Sequence, residues 1–251
     1  MDKEVLFSRQ LYTFASSGES ICSLFLIISY MAIPKIIHQT FKTSKLPFLT
    51  RWHISRLKKR NPEYSYEFYD DQRVEKFILK EFGEEVFRLY QKINIGAAKA
   101  DFFRYAVLLK KGGVYLDIDC HLKSRLKSFI NADDVAVLSP EKDPTFFVQW
   151  AMFYDAGHPF LLKTVEMVLE NIRQNKYPND VHKMTGPTVY SLAIRQCLEA
   201  NPNIPYRSFG VEYNHHLRDK YKLAKFFLYE KKSEHWKKLQ LTSTVLKTGR
   251  P

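Results

Sequence analysis

The stretch ADFFRYAVLLKKGGVYLDIDC, residues 100–120, carries most of the information about this chain's architecture. Its apolar residues recur at three- and four-residue steps, which predicts a helix with one apolar face. Lys110 and Lys111 suit the negative end of that helix, and Gly112-Gly113 should stop it. VYLDID then predicts a strand of a parallel sheet. A helix that leads by a short connection into such a strand is typical of a doubly wound sheet.

The flanking sequence repeats this alternation of strand and helix. Hydrophobic patterns predict strands at 33–41, 64–71, 133–140 and 146–156, and helices at 50–60 and 72–91, the latter interrupted around Gly83. Further helices should follow GHPF at 157–160 and TGP at 185–187. We therefore expect the α/β class, with a single Rossmann-like sheet, mixed but mostly parallel and flanked by helices.

Composition limits the class of protein and its partners. The 251 residues are 45% hydrophobic and 15% aromatic, enough for a sizeable core, and the formal net charge is +12. Such a charge favours polyanions, anionic membrane surfaces or phosphate-bearing substrates. The three cysteines, Cys22, Cys120 and Cys197, form no C-x-x-C pair. We therefore expect neither a disulfide framework nor a zinc site, and a reducing compartment.

Three segments are expected along the chain. Residues 1–30 are a leader or a misassigned start, because the apolar run at 21–33 is short for a membrane span and Met31 opens a well-formed strand. Residues 31–214 form the main domain. Residues 215–251 form a basic helical C-terminal extension, with ten Lys or Arg against three Asp or Glu.

Asp117 and Asp119 are the first candidate site. Residues two apart on a strand point to the same side, so the two carboxylates should project together while Ile118 faces the core. Carboxylates this close repel one another unless a cation or a proton lies between them. Oxygen ligands suit hard ions, so Mg²⁺ or Mn²⁺ is expected, with substrate phosphates completing the shell. D-x-D alone is a weak motif, and a solvated strand end would also fit it.

Asp101 and Arg104 are the second candidate site, on the helix before the D-x-D. Three residues apart, they share one helix face. An exposed ion pair there would contribute only about 0.3–0.5 kcal/mol. The neighbours Phe102, Phe103 and Tyr105 predict a largely buried helix. A charge pair in such a place favours contact with a phosphate or a sugar.

Together these segments resemble the D-x-D sugar-transfer glycosyltransferases of family 32. This group includes yeast-type initiating mannosyltransferases, bacterial capsular and lipopolysaccharide sugar transferases and, more distantly, clostridial glucosylating toxins. The likeness is carried by IPKIIHQTF (33–41), NPEYSYEFYDD (61–71), AAKADFFRYAVLLKKGGVYLDIDC (97–120), GHPF, TGP and, weakly, EHW (234–236). It implies a GT-A fold and a retaining, metal-dependent transfer of a hexose from a nucleotide-sugar donor.

The resemblance also implies roles for individual residues. Asp117 would hold the ribose or sugar side of the donor, and Asp119 would ligate Mn²⁺ or Mg²⁺, with Asp117 a less certain second ligand. Asp101 and Arg104 would bind sugar hydroxyls and stabilise the transition state. The remaining donor contacts would be Ile37, His38 and Gln39 at the end of the first strand and, weakly, His235 and Trp236.

The resemblance implies a UDP- or GDP-linked donor and a glycan or lipid-linked acceptor, in the synthesis of capsule, lipopolysaccharide or exopolysaccharide. No general base follows from the sequence; Asp101, Glu141 and Asp155 are candidates. The expected location is the cytoplasm, at the inner face of the cell membrane, with peripheral contact to anionic lipid and no nucleic acid. Two alternatives remain open: a haloacid-dehalogenase-type phosphohydrolase that uses D-x-D, and a non-enzymatic polyanion binder.

Overall fold

A computed structural model describes residues 31–221 and 242–247. Expectations for residues 1–30, and those for His235 and Trp236, lie outside these ranges. Within them the strands are β1 Ile36–Thr40, β2 Ser65–Tyr69, β3 Gly113–Leu116, β4 His121–Leu122, β5 Ala136–Leu138, β6 Ala151–Tyr154, β7 Arg207–Ser208 and β8 Leu217–Arg218. The helices are α1 Phe48–Arg60, α2 Asp71–Lys92, α3 Gly96–Lys111, α4 Pro159–Arg173, α5 Val181–Met184 and α6 Pro187–Ala200.

Six of the strands form one sheet in the order β2-β1-β3-β6-β5-β7. β1 is parallel to β2 and to β3, and β5 is parallel to β7, whereas β6 runs antiparallel to both of its neighbours. A separate two-stranded sheet pairs β4 with β8. The mixed, mostly parallel α/β sheet predicted from the alternating pattern is therefore confirmed.

Central strand β3 is buried along its whole length. Val114 and Leu116 face one core layer and Tyr115 faces the other, as the two-residue period of a strand requires. Gly113 allows β3 to lie close to β1, since a Cβ atom there would lie 2.6 Å from the carbonyl oxygen of Ile36. The close packing of β1 and β3 brings their carboxyl ends side by side.

The local predictions hold well around α2 and α3. The predicted interruption near Gly83 is a kink, where this glycine has φ 78° and ψ 177° inside α2. Helix α3 ends at Gly112, whose φ of 61° favours glycine, and the Gly112 N–H donates to the carbonyl of Leu108. Ten residues of α3 are buried, including Asp101 and Arg104.

The strand prediction was wrong for its last part. The VYLDID strand ends at Leu116, and Asp117–Cys120 form a turn closed by the Cys120 N–H donating to the Asp117 carbonyl at 2.9 Å. The Asp117 N–H donates instead to the carbonyl of Trp150, just before β6. The two acids are thus oriented by a turn and not by strand alternation.

The described parts of 215–251 pack on the main domain. β8 pairs with β4, and Val245 and Leu246 are buried in the main core cluster. The Lys247 N–H donates to the carbonyl of Lys92 at the end of α2. No helix within the described ranges combines the length and apolar character needed to cross a bilayer.

Candidate active site

A cleft of about 440 Å³ opens at the carboxyl ends of β1 and β3. Ligands bind at this edge in open α/β sheets, because the loops that follow the strands diverge there. One wall is formed by the segments after the two strands, and the other by residues near β6, α5 and α6. Its polar lining includes Lys42, Asp101, Arg104, Asp117, Asp119, Glu141, Gln149, His182, Asp219 and Lys220.

Arg104 is the centre of the charged cluster in this cleft. Its Nη2 lies 3.3 Å from the Asp101 Oδ1 and 3.1 Å from the Asp117 Oδ1. Its Nη1 donates to the carbonyl of Gln149 at 2.9 Å, and its guanidinium lies over the ring of Tyr115. The nearby carboxylates outweigh the cost of burial and raise the pKa of Arg104, so the guanidinium stays charged. The sequence-predicted pair Asp101–Arg104 is therefore joined to the D-x-D through one arginine.

Asp101 is nearly inaccessible to solvent and has polar neighbours on both carboxylate oxygens. The Thr185 hydroxyl donates to its Oδ2 at 3.0 Å, and the Gln149 Nε2 donates to its Oδ1 at 3.4 Å. Burial raises the pKa of Asp101 to about 7, opposed by Arg104 and reinforced by the charge of Asp117. A carboxyl group in a cleft whose pKa is raised this far is a candidate functional group.

Asp119 has the most unusual environment. It is 5% exposed, and its Oδ2 is buried without a hydrogen-bond partner among the described residues. Burial, followed by the charge of Asp117, raises the pKa of Asp119 to about 7. A buried carboxylate oxygen without a donor is costly unless a cation occupies the space beside it. The donor set therefore fits a hard divalent metal held by Asp119 with Asp117.

The protein would supply only part of such a coordination shell. Within the described residues, no group of three or more His, Cys, Asp or Glu side chains is arranged to hold a metal ion. Two carboxylates leave most octahedral positions open for phosphate oxygens and water. A metal held here would therefore need most of its ligands from outside the described side chains.

The D-x-D turn is fixed from two sides. The Gln39 Nε2 donates to the Asp117 carbonyl at 3.1 Å, and the Tyr221 N–H donates to the Asp119 carbonyl at 2.8 Å. The Tyr115 hydroxyl donates to the Asp117 Oδ1 at 3.0 Å. These contacts hold the backbone of the turn and orient the Asp117 carboxylate.

The predicted donor contacts on β1 lie elsewhere. Ile37 is buried in the core, and neither His38 nor Gln39 lines the cleft. The His38 Nε2 is 3.0 Å from the Gly112 carbonyl, and Gln39 supports the D-x-D turn. The cleft is lined instead by Thr40, the last residue of β1, and by Phe41 and Lys42, which follow the strand. Residues 37–39 are absent from the lining of this cleft, and their role as donor contacts stays a prediction.

Of the two other candidate bases, Glu141 and Asp155, only one lines the cleft. Glu141 lines the cleft, and burial together with Glu212 raises its pKa. Asp155 is not in the lining; its Oδ2 accepts from the N–H of Met31 at 2.6 Å. His158 is structural, since it caps α4 with its Nδ1 accepting from the Phe160 N–H.

Sequence reasoning missed three supporting side chains. Tyr115 and Gln149 carry no motif, and they are brought to Arg104 only by the pairing of β3 with β6. Thr185 lies in the TGP segment, from which only the start of a helix was predicted. Its position in TGP is the one signal that could have indicated the site.

Comparison with known proteins agrees with this geometry. Residues 47–136 match the family described as glycosyltransferase sugar-binding region containing DXD motif. The initiation-specific alpha-1,6-mannosyltransferase of Schizosaccharomyces pombe is 28% identical over 221 residues, covering 75% of this chain and 54% of that protein. The mannosyl phosphorylinositol ceramide synthase CSH1 of Saccharomyces cerevisiae is 32% identical over 170 residues, covering 65% of this chain and 43% of that protein.

Solved structures give the fold. The PaToxG glycosyltransferase superposes with a TM-score of 0.52 at 18% identity, covering 78% of this chain and 77% of that one. At such identity the likeness concerns the fold alone. The chain therefore has the GT-A fold and is related to the D-x-D sugar-transfer glycosyltransferases, as its motifs predicted. It spans about half the length of the curated relatives named above.

Proposed function

We propose that this chain transfers a hexose from a nucleotide-sugar donor, with retention of the anomeric configuration, in a reaction that needs Mn²⁺ or Mg²⁺. One observation carries the proposal. Asp101, Arg104, Asp117 and Asp119 converge in one cleft at the carboxyl edge of the sheet, and one buried oxygen of Asp119 has no partner among the described residues.

Asp119, with Asp117 as second ligand, would hold the divalent ion. When bound, that ion would neutralise the charge that develops on the leaving diphosphate. Arg104 supports the same charge separation, because it stays positive and is already oriented by Asp117 and the Gln149 carbonyl. Held in this way, the guanidinium needs little rearrangement as the glycosyl–phosphate bond breaks.

Asp101 would act on the sugar side. Thr185 and Gln149 orient its carboxyl group, and a carboxylate near the anomeric carbon stabilises positive charge there. Glu141, on the lining of the same cleft, is the residue we propose to receive a proton from the acceptor hydroxyl. Placing donor and acceptor together would supply much of the rate enhancement.

We propose mannose as the hexose and a glycan or lipid-linked glycan as the acceptor. Both relatives named above carry mannosyl transfer in their names, and one name includes a ceramide lipid. The base, UDP- or GDP-linked, is left to experiment. The net charge of +12 supports action at an anionic membrane surface, which we place at the inner, cytoplasmic face.

Thermal shift with UDP-, GDP- and CDP-linked sugars, each with and without Mn²⁺, tests this function. We expect one base to stabilise the protein only when metal is present, and Asp119→Asn to lose that shift. Asp143→Asn, at an exposed aspartate outside the cleft, is the matched control and should keep it. No shift in a folded protein would refute donor binding and favour a phosphohydrolase or a polyanion binder.

A further inference from the structure

Helix α1 presents an exposed surface that is both aromatic and basic. Phe48 is 76% exposed and Trp52 is 46% exposed, although large aromatic side chains usually find burial. They are four residues apart, so they lie on one helix face. Arg51, Arg56 and Lys59 are exposed on the same side of the helix. We call these five side chains the α1 surface.

The opposite side of α1 explains why this surface faces outward. Leu49 and Ile54 pack with Ile118 of the D-x-D turn, and Leu57 packs against a second core cluster. The Thr50 hydroxyl is 2.8 Å from the Tyr221 hydroxyl. One side of the helix thus packs against the fold, while Phe48 and Trp52 stay exposed on the other side.

The charge of α1 is all of one sign. It contains Arg51, Arg56, Lys58, Lys59 and Arg60 and no acidic residue. Among the described residues, none of these five side chains forms a salt bridge. Such a helix attracts an anionic surface.

Arg56 joins the basic and the aromatic groups of the α1 surface in one contact. Its guanidinium lies 5.5 Å from the centre of the Trp52 ring, so the basic and aromatic groups are presented together. Tryptophan is enriched where a protein meets the lipid headgroups, since its ring is apolar and its N–H is polar. An anionic partner without an apolar layer would bind the basic side chains but would not require the exposed Phe48.

Helix α1 contacts the D-x-D turn of the candidate active site through side chains that face the fold. His53 of α1 stacks on Tyr221 with ring centres 3.9 Å apart, and the Tyr221 N–H bonds to the carbonyl of Asp119. Phe41 and Lys42, which precede α1, line the cleft itself. A surface bound by α1 would therefore be close to the cleft.

We infer that the α1 surface docks this protein on an anionic phospholipid membrane, with Phe48 and Trp52 entering the headgroup layer and the basic side chains pairing with lipid phosphates. The docked orientation brings the cleft near acceptors carried on lipid. Only this last consequence rests on the proposed function, since membrane binding can be measured without any sugar transfer.

Co-sedimentation of the full chain with lipid vesicles tests the inference. We expect binding to phosphatidylcholine vesicles that contain about 30% phosphatidylserine, weakened by salt, and little binding to phosphatidylcholine alone. Arg56→Glu/Lys59→Glu should weaken binding about tenfold or more. Lys80→Glu/Arg88→Glu makes the same charge change at exposed positions of α2 and should have a much smaller effect.

Phe48→Ser/Trp52→Ser separates a membrane from other partners. It should weaken vesicle binding while leaving binding to heparin or DNA unchanged. Equal vesicle binding by wild type and both α1 variants, or equal losses in the α2 control, would overturn the inference. So would a change of oligomeric state in the aromatic variant, which would make a second copy the partner of this surface.

Donor binding in the thermal-shift experiment keeps the two proposals apart. If the α1 variants lose vesicle binding but retain the donor shift, the docking surface stands apart from the site. If wild type binds vesicles through α1 but no nucleotide sugar, the proposed function fails and the docking surface remains.

Discussion

Two arginine–aspartate clusters in this molecule differ in how fully the protein itself satisfies their carboxylate oxygens. At the far side of the sheet, the Arg207 Nε is 2.7 Å from Asp134 Oδ1 and its Nη2 is 2.5 Å from Oδ2. The same Nη2 donates to the Phe129 carbonyl, and Asp134 also accepts from the Asn131 N–H. Both carboxylate oxygens are therefore used by the protein itself.

The cleft cluster is left incomplete by comparison. Arg104 is shared by Asp101 and Asp117, and the nearby Asp119 keeps one buried oxygen without a described partner. Charges of equal type are thus fully paired in one place and partly unpaired in the other, where we propose that a ligand binds. The difference teaches that unsatisfied polar atoms, more than buried charge as such, distinguish a binding site from a structural ion pair.

The largest effect should come from Asp119→Asn. We expect hexose transfer to fall by about 10³-fold, because charge stabilisation by a bound metal is worth several kcal/mol. Thermal stability without ligand should be unchanged or higher, since a buried carboxylate repelled by Asp117 is removed. Measured transfer rates and melting temperatures check both halves. A large loss of stability would make Asp119 structural and end the contrast with Asp134.

Arg104→Lys should reduce kcat/KM by about 10²-fold. A lysine keeps the charge but cannot contact two carboxylates and the Gln149 carbonyl in one planar arrangement. Arg73→Lys is the control, because Arg73 also pairs with a carboxylate and lies over a tyrosine ring but is exposed. Comparable losses in the two variants would contradict a specific role for Arg104.

Asp134→Asn tests the completed cluster. We expect the free energy of unfolding to fall by about 2 kcal/mol, less than for a fully buried pair, because the Arg207 side chain is 30% exposed. Chemical denaturation measures this, and kcat/KM should stay within about twofold of wild type. Loss of transfer without loss of stability would reverse the assignment of the two clusters.

A smaller effect is expected from His158, which lies outside the cleft. This residue should make the free energy of unfolding depend on pH. Burial lowers the pKa of His158 to about 4, opposed by its bond to the Pro205 carbonyl. The unfolded histidine takes a proton near pH 6.5 while the folded one does not, so stability is full above that pH and falls as pH drops toward 4.

Between pH 6.5 and 5.5 this one group should remove about 1 kcal/mol from the free energy of unfolding. His158→Asn, which can still cap α4, should flatten the pH dependence measured by denaturation. His38, whose pKa burial also lowers to about 4, should act in the same direction. An unchanged pH profile in His158→Asn would mean that other groups carry the acid sensitivity.

Much of the fold could be predicted because its local signals agree. The apolar face of α3, its glycine stop and the kink at Gly83 follow from residues close in sequence. The strand that was predicted to reach Asp119 fails for the opposite reason. Besides the local bond that closes the turn, the Asp117 backbone is held by Gln39 and Trp150, which no local pattern connects with it.

In the candidate site, too, the features that depend on residues close in sequence could be predicted and the long-range contacts could not. The three-residue spacing of Asp101 and Arg104 predicted a shared face, and D-x-D predicted paired carboxylates. That Arg104 reaches Asp117 depends on how α3 packs against β3, and Thr185 joins Asp101 across 84 positions of sequence. Tertiary packing decides such contacts, so residue type and spacing could not predict them.

The order of strands has a consequence for how the chain can be divided. Central strand β3 pairs with β1 on one side and β6 on the other, and all four of its residues are buried. The family-matched region, residues 47–136, contains β3 but neither of those partners. Expressed alone, it would expose both edges of its central strand and should aggregate. The stretch that holds the motif can therefore be recognised by its sequence but should not fold alone.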